Sequence, residues 1–146
     1  MFTAAILADL HLPEAADTVK ETVLDWALAE AKAQKVDLIV GAGDLTGTGA
    51  AAMRLRLKLE KTRIPFLLTP GNAEMRDPSR KKRSSAIPAA PRQYGHVVLL
   101  DSSARMFAAH DRELLKELTR QGGQNLLAVT HCPVAMLDDG DRRLLE

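Results

Sequence analysis

Residues 36–49 read Val-Asp-Leu-Ile-Val-Gly-Ala-Gly-Asp-Leu-Thr-Gly-Thr-Gly, and the fold turns on how this stretch is taken. Val36 to Val40 is a short apolar run closed by glycine, the pattern of a buried strand. Because it leads into Gly41-Ala42-Gly43-Asp44, the strand delivers a carboxylate to one edge of a sheet. Three other apolar runs end in polar islands. Thr3 to Ala8 leads into Asp9-Leu10-His11, Ile64 to Thr69 into Gly71-Asn72, and Asn125 to Val129 into Thr130-His131. His96 to Leu100 is a further strand without such an ending.

The intervening segments predict helices. Pro13-Glu14 opens one that runs to about Gln34, with proline in the first turn and acids early. Val19, Val23, Trp26 and Ala27 share a face of it, which predicts core packing for Trp26. In the next segment Leu55, Leu57 and Leu59 alternate with Arg54, Arg56 and Lys58, a strand period. The alanine-rich lead-in, the strong helix formers and the need for a crossover between parallel strands favour a helix there. Residues 73–93 read as a polar loop, Asp111 to Gln121 as a helix ended by Gly122-Gly123, and the last fifteen residues hold no clear strand. Alternating strands and helices imply an α/β fold with right-handed crossovers and a largely parallel sheet. Ligands in such sheets lie at the carboxyl ends of the strands. Asp9, His11, Asp44, Asn72 and His131 are therefore expected together.

Bulk properties narrow the function. A length of 146 residues suits one domain, taken as residues 1–146. A net charge of +1 gives no electrostatic pointer to nucleic acid or acidic membranes, and 3% aromatics is too few for a base-stacking surface. The single cysteine, Cys132, excludes an internal disulfide framework and fits a reducing compartment. Met1 to Ala8 lacks a positive leader segment and no apolar run nears the roughly 20 residues of a membrane span, so a cytoplasmic location is expected.

A lone Asp after a strand reads most simply as a helix cap. Five islands of carboxylate, amide and imidazole together read as a metal site. Mixed nitrogen and oxygen donors suit Mn, Fe or Zn better than Ca. Asp44 has two oxygens and so can bridge two metals, which about 3.5–4 Å apart activate water and clamp a phosphate. A dinucleotide-binding reading of Gly41-x-Gly43 fails because Thr46 stands where Gly or Ala is required, while Gly47-x-Gly49-x-x-Ala52 lies too far past the strand.

Taken in order, the motifs LADLHLP (7–13), GAGDLTGTG (41–49), TPGNAE (69–74) and AVTHCPV (128–134) resemble those of calcineurin-like metallophosphoesterases. The resemblance runs from residue 3 to about 134. It implies a phosphoesterase-like β-sheet with flanking helices, a C-terminally shortened form of the αββα sandwich. It also implies two divalent metal ions, with Asp9 and His11 on the first, Asp44 bridging both, and Asn72 and His131 on the second. The implied reaction is hydrolysis of a phosphate mono- or diester in a phosphorylated small molecule or nucleotide, with nucleic acid less favoured.

Two departures accompany the resemblance. Ala73 stands where the family has the His that assists the leaving group, so no residue is assigned as catalytic acid; Glu74 is the nearest stand-in. No histidine follows His131, so the family's closing Gly-His-x-His is absent and the domain is expected to be incomplete at its C-terminus. A catalytically inactive phosphoesterase-like protein with a binding or assembly role is the alternative, and a homodimer or partner subunit would cover exposed sheet. Arg76 and Arg80 belong to a basic run in the 73–93 loop and are expected to bind the substrate phosphate, against the simpler reading of a solvated loop.

Overall fold

The computed structural model describes residues 1–16, 18–76, 93–121 and 126–145. Among them six strands form two three-stranded sheets. The first holds β1 (Ala4–Leu7), β2 (Leu38–Ala42) and β3 (Phe66–Thr69), all parallel, in the order β1-β2-β3. The second holds β4 (Gln93–Tyr94), β5 (Val97–Leu100) and β6 (Leu127–Thr130); β4 runs antiparallel to β5, and β6 parallel to it. Helices α1 (Val19–Ala33), α2 (Gly49–Thr62), α3 (Asn72–Arg76), α4 (Ala109–Arg120) and α5 (Asp139–Arg143) connect and flank them, with a 3₁₀ turn at Val134–Met136.

Strand alternation sorts the side chains into four layers. Ile39 of β2 joins Leu24 and Leu28 of α1 and Leu55 and Leu59 of α2 in an outer core. Leu38, Val40 and Ala42 point the other way and meet Leu67, Val97, Leu99 and Val129 between the sheets. Val98 and Leu100, from the opposite face of β5, pack on Phe107, Leu115, Leu118 and Leu137. The order helix, sheet, sheet, helix is the layering expected of the sandwich. Strand periodicity alone predicts a largely parallel sheet; the strands divide into two because β5 and β6 stack on β2 and β3 instead of extending them.

The inter-sheet layer covers β1 only in part, with Ala4 packed against it. Ile6 pairs with Val40 in register, yet Ile6 is 57% exposed and Val40 only 1%.

Helix α1 departs from expectation twice. It begins at Val19, not at Pro13, because Thr18 caps it by accepting from the Glu21 N–H. The core expectation for Trp26 is overturned: Val19, Val23 and Trp26 all face out, Trp26 being 67% exposed. Leu24, Leu28 and Ala31 form a competing apolar stripe and take the buried side. Glu21 settles the choice, since its buried carboxylate pairs with Arg54 and Lys58 of α2. The ambiguous 50–60 segment is helical, as expected; Thr48 caps it and Leu55 and Leu59 are buried.

Candidate metal centre

The first polar island is held against the second by backbone pairing. Asp9 N–H donates to the Gly43 carbonyl (3.1 Å), His11 N–H to Asp44 (2.9 Å) and Leu12 N–H to Leu45 (2.9 Å). Asp9, His11 and Asp44 all adopt left-handed backbone, at φ 54°, 45° and 51°. That region is unfavourable for side chains with a Cβ, though Asp and His enter it more readily than most. Two such residues in one loop and a third in the facing loop turn the chain sharply where the three side chains converge.

Donor atoms of Asp9, His11 and Asp44 lie within 4.8 Å of one another. His11 Nε2 is 3.7 Å from Asp44 Oδ2 and 3.8 Å from Asp9 Oδ1. The other carboxylate oxygen, Asp44 Oδ1, faces across the sandwich: His131 Nε2 is 3.4 Å away, and 3.2 Å from Asn72 Oδ1. Asn72 opens α3 after β3, and His131 follows β6 of the second sheet. The site thus lies where the ends of both sheets meet, and the two oxygens of one buried carboxylate serve two separate groups.

The hydrogen-bond partners on the His131 side leave room for a cation. Nδ1 lies 3.0 Å from the Ala42 carbonyl, which can only accept, so the ring proton belongs there. In a neutral imidazole Nε2 then carries a lone pair, and it faces two more acceptors, Asn72 Oδ1 and Asp44 Oδ1. Three lone pairs converge without a hydrogen between them. A metal ion among these lone pairs would satisfy them, as would turning the Asn72 amide so that its Nδ2 donates to the ring; the donor set of carboxylate, amide oxygen and imidazole suits a divalent transition metal. The residues present fit the metal.

Glu74 was not expected to hold the site together. It is buried, and its carboxylate accepts four backbone N–H groups: Oε1 from Leu45 (2.6 Å) and Thr46 (2.8 Å), Oε2 from Gly71 (2.8 Å) and Asp44 (3.0 Å). Those contacts use its oxygens for tying the second and third islands together, so it does not stand in for the missing histidine. Ala73 contributes its N–H instead, which donates to Asp44 Oδ1 (2.7 Å). Close approach explains two glycines. A Cβ at Gly71 would overlap Asp44 Oδ1 and the Asp44 nitrogen, and one at Gly43, whose φ is 86°, would sit 2.6 Å from His131 Cγ.

Arg54 likewise lay outside the sequence reading. Its guanidinium donates to the Pro13 (2.6 Å), Glu14 (2.7 Å) and Ala15 (3.3 Å) carbonyls, while Lys20 Nζ reaches the His11 carbonyl at 3.1 Å. These bonds pin the loop that follows His11. Of the expected phosphate-binding pair, Arg76 ends α3, and Arg80 lies outside the described residues. His96 and His110 are exposed and away from the cluster, and Cys132 is buried.

The profile of the calcineurin-like phosphoesterases matches residues 2–146, and the chain belongs to that family. A solved structure similar in fold is that of a dimetal phosphatase from Danio rerio: 16% identity, TM-score 0.63, covering 99% of this chain and 76% of that one. No curated protein matches by sequence. No helix among the described residues is long and apolar enough to cross a membrane.

Proposed function

We propose that the chain is a metal-dependent phosphoesterase that hydrolyses phosphate mono- or diesters at a dinuclear site. The observation that carries this reading is the division of Asp44, with Oδ2 toward His11 and Asp9 and Oδ1 toward His131 and Asn72. Asp9, His11 and Asp44 would hold one divalent ion; Asp44, Asn72 and His131 would hold the other. When bound, such a pair supplies Lewis-acid stabilisation of phosphoryl oxygens and a water acidic enough to act at neutral pH.

The chain's own residues do the positioning. Asp44 sets the separation of the two groups, and Glu74 holds the Asp44 backbone through its N–H. The Ala42 carbonyl orients His131 so that Nε2 faces the site. Residues 73 and 74 provide no proton donor for the departing alkoxide, because one is a methyl group and the other a carboxylate occupied by four amides. General-acid assistance is worth about 10²–10⁴ in rate, so esters with good leaving groups should be turned over best.

The test is hydrolysis of p-nitrophenyl phosphate and bis-p-nitrophenyl phosphate by protein loaded with Mn, Fe or Zn. Metal-dependent turnover that disappears in Asp44→Asn supports the reading, and Ala73→His should raise it. The second reading, an inactive relative that binds a phosphorylated ligand, is favoured by Ala73 and by the engagement of Glu74. It gains if divalent ions bind but none of the loaded forms turns over either ester.

A further inference from the structure

A cavity of about 460 Å³ opens beside the inner half of the site, where Asn72 and His131 form part of its lining. Its other walls include Met75 from α3, Met136 from the turn after β6, and Ser103 and Arg105 from the loop after β5. Size and lining are those of a seat for a small organic group, with apolar surface and a few placed polar atoms. The thioethers of Met75 and Met136 are partly exposed and adapt readily to an apolar or aromatic ligand.

Arg105 brings the positive charge to this lining. Its N–H donates to the Ser102 carbonyl (2.9 Å), closing a turn in which Arg105 takes left-handed backbone at φ 62°. Ser102 in turn accepts from the Cys132 N–H through Oγ (2.8 Å), so the Arg105 turn is fastened to the strand end that carries His131. Arg54, Arg56, Arg112, Arg120 and Arg142 each pair with a carboxylate. Among the described residues no acid pairs with Arg105, Arg63 or Arg143, and of these three exposed arginines Arg105 is the one in the cavity lining. A guanidinium without an acid partner, lining the same cavity as Asn72 and His131, is suited to a planar anion.

We propose that this cavity seats the organic group of the phosphoester, and that Arg105 selects esters bearing a second anionic group, a carboxylate or a phosphate. The proposal rests on the phosphoesterase reading for the place of the reacting phosphate. An ester whose phosphorus lies at Asp44, Asn72 and His131 has this cavity directly beside it. Arg105 is then a specificity-determining residue that the motif pattern does not contain.

Phosphonates test this without turnover. Calorimetric titration of the Mn-loaded protein would compare phenylphosphonate with 3- and 4-carboxyphenylphosphonate and with 1,4-phenylenediphosphonate. At least one probe with a second anionic group should bind about five- to tenfold tighter than phenylphosphonate, the scale of one charge-assisted contact in a half-open site. That margin should vanish in Arg105→Ala and partly return in Arg105→Lys, and the probe that gains most identifies carboxylate or phosphate as the preferred group. Equal affinities for all four probes, or a margin that survives Arg105→Ala, would overturn the proposal. Preference for a probe with a second anionic group, without ester hydrolysis, would sink the enzyme reading and leave the Arg105 pocket standing; hydrolysis without preference would do the reverse.

Discussion

The two sides of the Asp44 carboxylate are built differently. On the outer side, Asp9 and His11 have side chains 64% and 47% exposed and stand on one loop. On the inner side, the His131 side chain is 13% exposed, its ring is anchored on Ala42, and Asn72 is set by the start of α3. The outer side carries more charge and is more open to water; the inner side carries less charge and is more buried. For a divalent ion, a second carboxylate outweighs the ordering of a few side-chain torsions. Divalent ions should therefore bind in two unequal steps, the tighter one at Asp9, His11 and Asp44.

Removing the shared carboxylate breaks the comparison altogether. Asp44→Asn should weaken both steps by at least about 100-fold, read by calorimetric Mn titration. Next in size is Glu74→Ala, which strands four buried N–H groups at about 1–3 kcal/mol each and should lower the unfolding free energy read from urea titration by several kcal/mol. Glu74→Gln, which keeps one carbonyl acceptor, should cost less. A finer distinction comes from single-side variants. Asp9→Ala should abolish the tighter binding step and leave a weak one, whereas His131→Ala should spare the tight step; loss of both steps in either variant would mean that the two sides are not separable.

The smallest effect on the site is expected from Asp141, a control in the outer layer of the second sheet. Arg112 hydrogen-bonds its buried carboxylate, and with the Phe107 N–H holds its pKa below the usual aspartate range. The folded protein then binds fewer protons here than the unfolded chain does. Stability from this group is complete above the unfolded value near 3.9 and is lost as pH falls through the folded value. Asp141→Asn should lower stability at neutral pH, flatten the acid limb of the pH–stability curve, and leave both metal-binding steps unchanged.

The strands and the ligand candidates were legible because each island sits directly at the end of its own apolar run. Asp9, His11, Asp44, Asn72 and His131 needed only strand direction to be placed together. What was illegible depends on contacts between distant segments. The late start of α1 follows from Thr18 and from Arg54, which holds the 13–15 carbonyls from 39 or more residues away. The role of Glu74 depends on amides about 30 residues earlier in the chain. Two sheets instead of one could not be read from strand counting, since stacking and extension use the same apolar pattern.

Trp26 has a practical consequence. It is the chain's only tryptophan, and it lies on the water-facing side of α1, opposite Leu24 and Leu28. An indole already wet in the folded protein changes its surroundings little when the core comes apart. Its emission is thus a poor optical gauge of unfolding and a good one for anything that settles against the outside of α1.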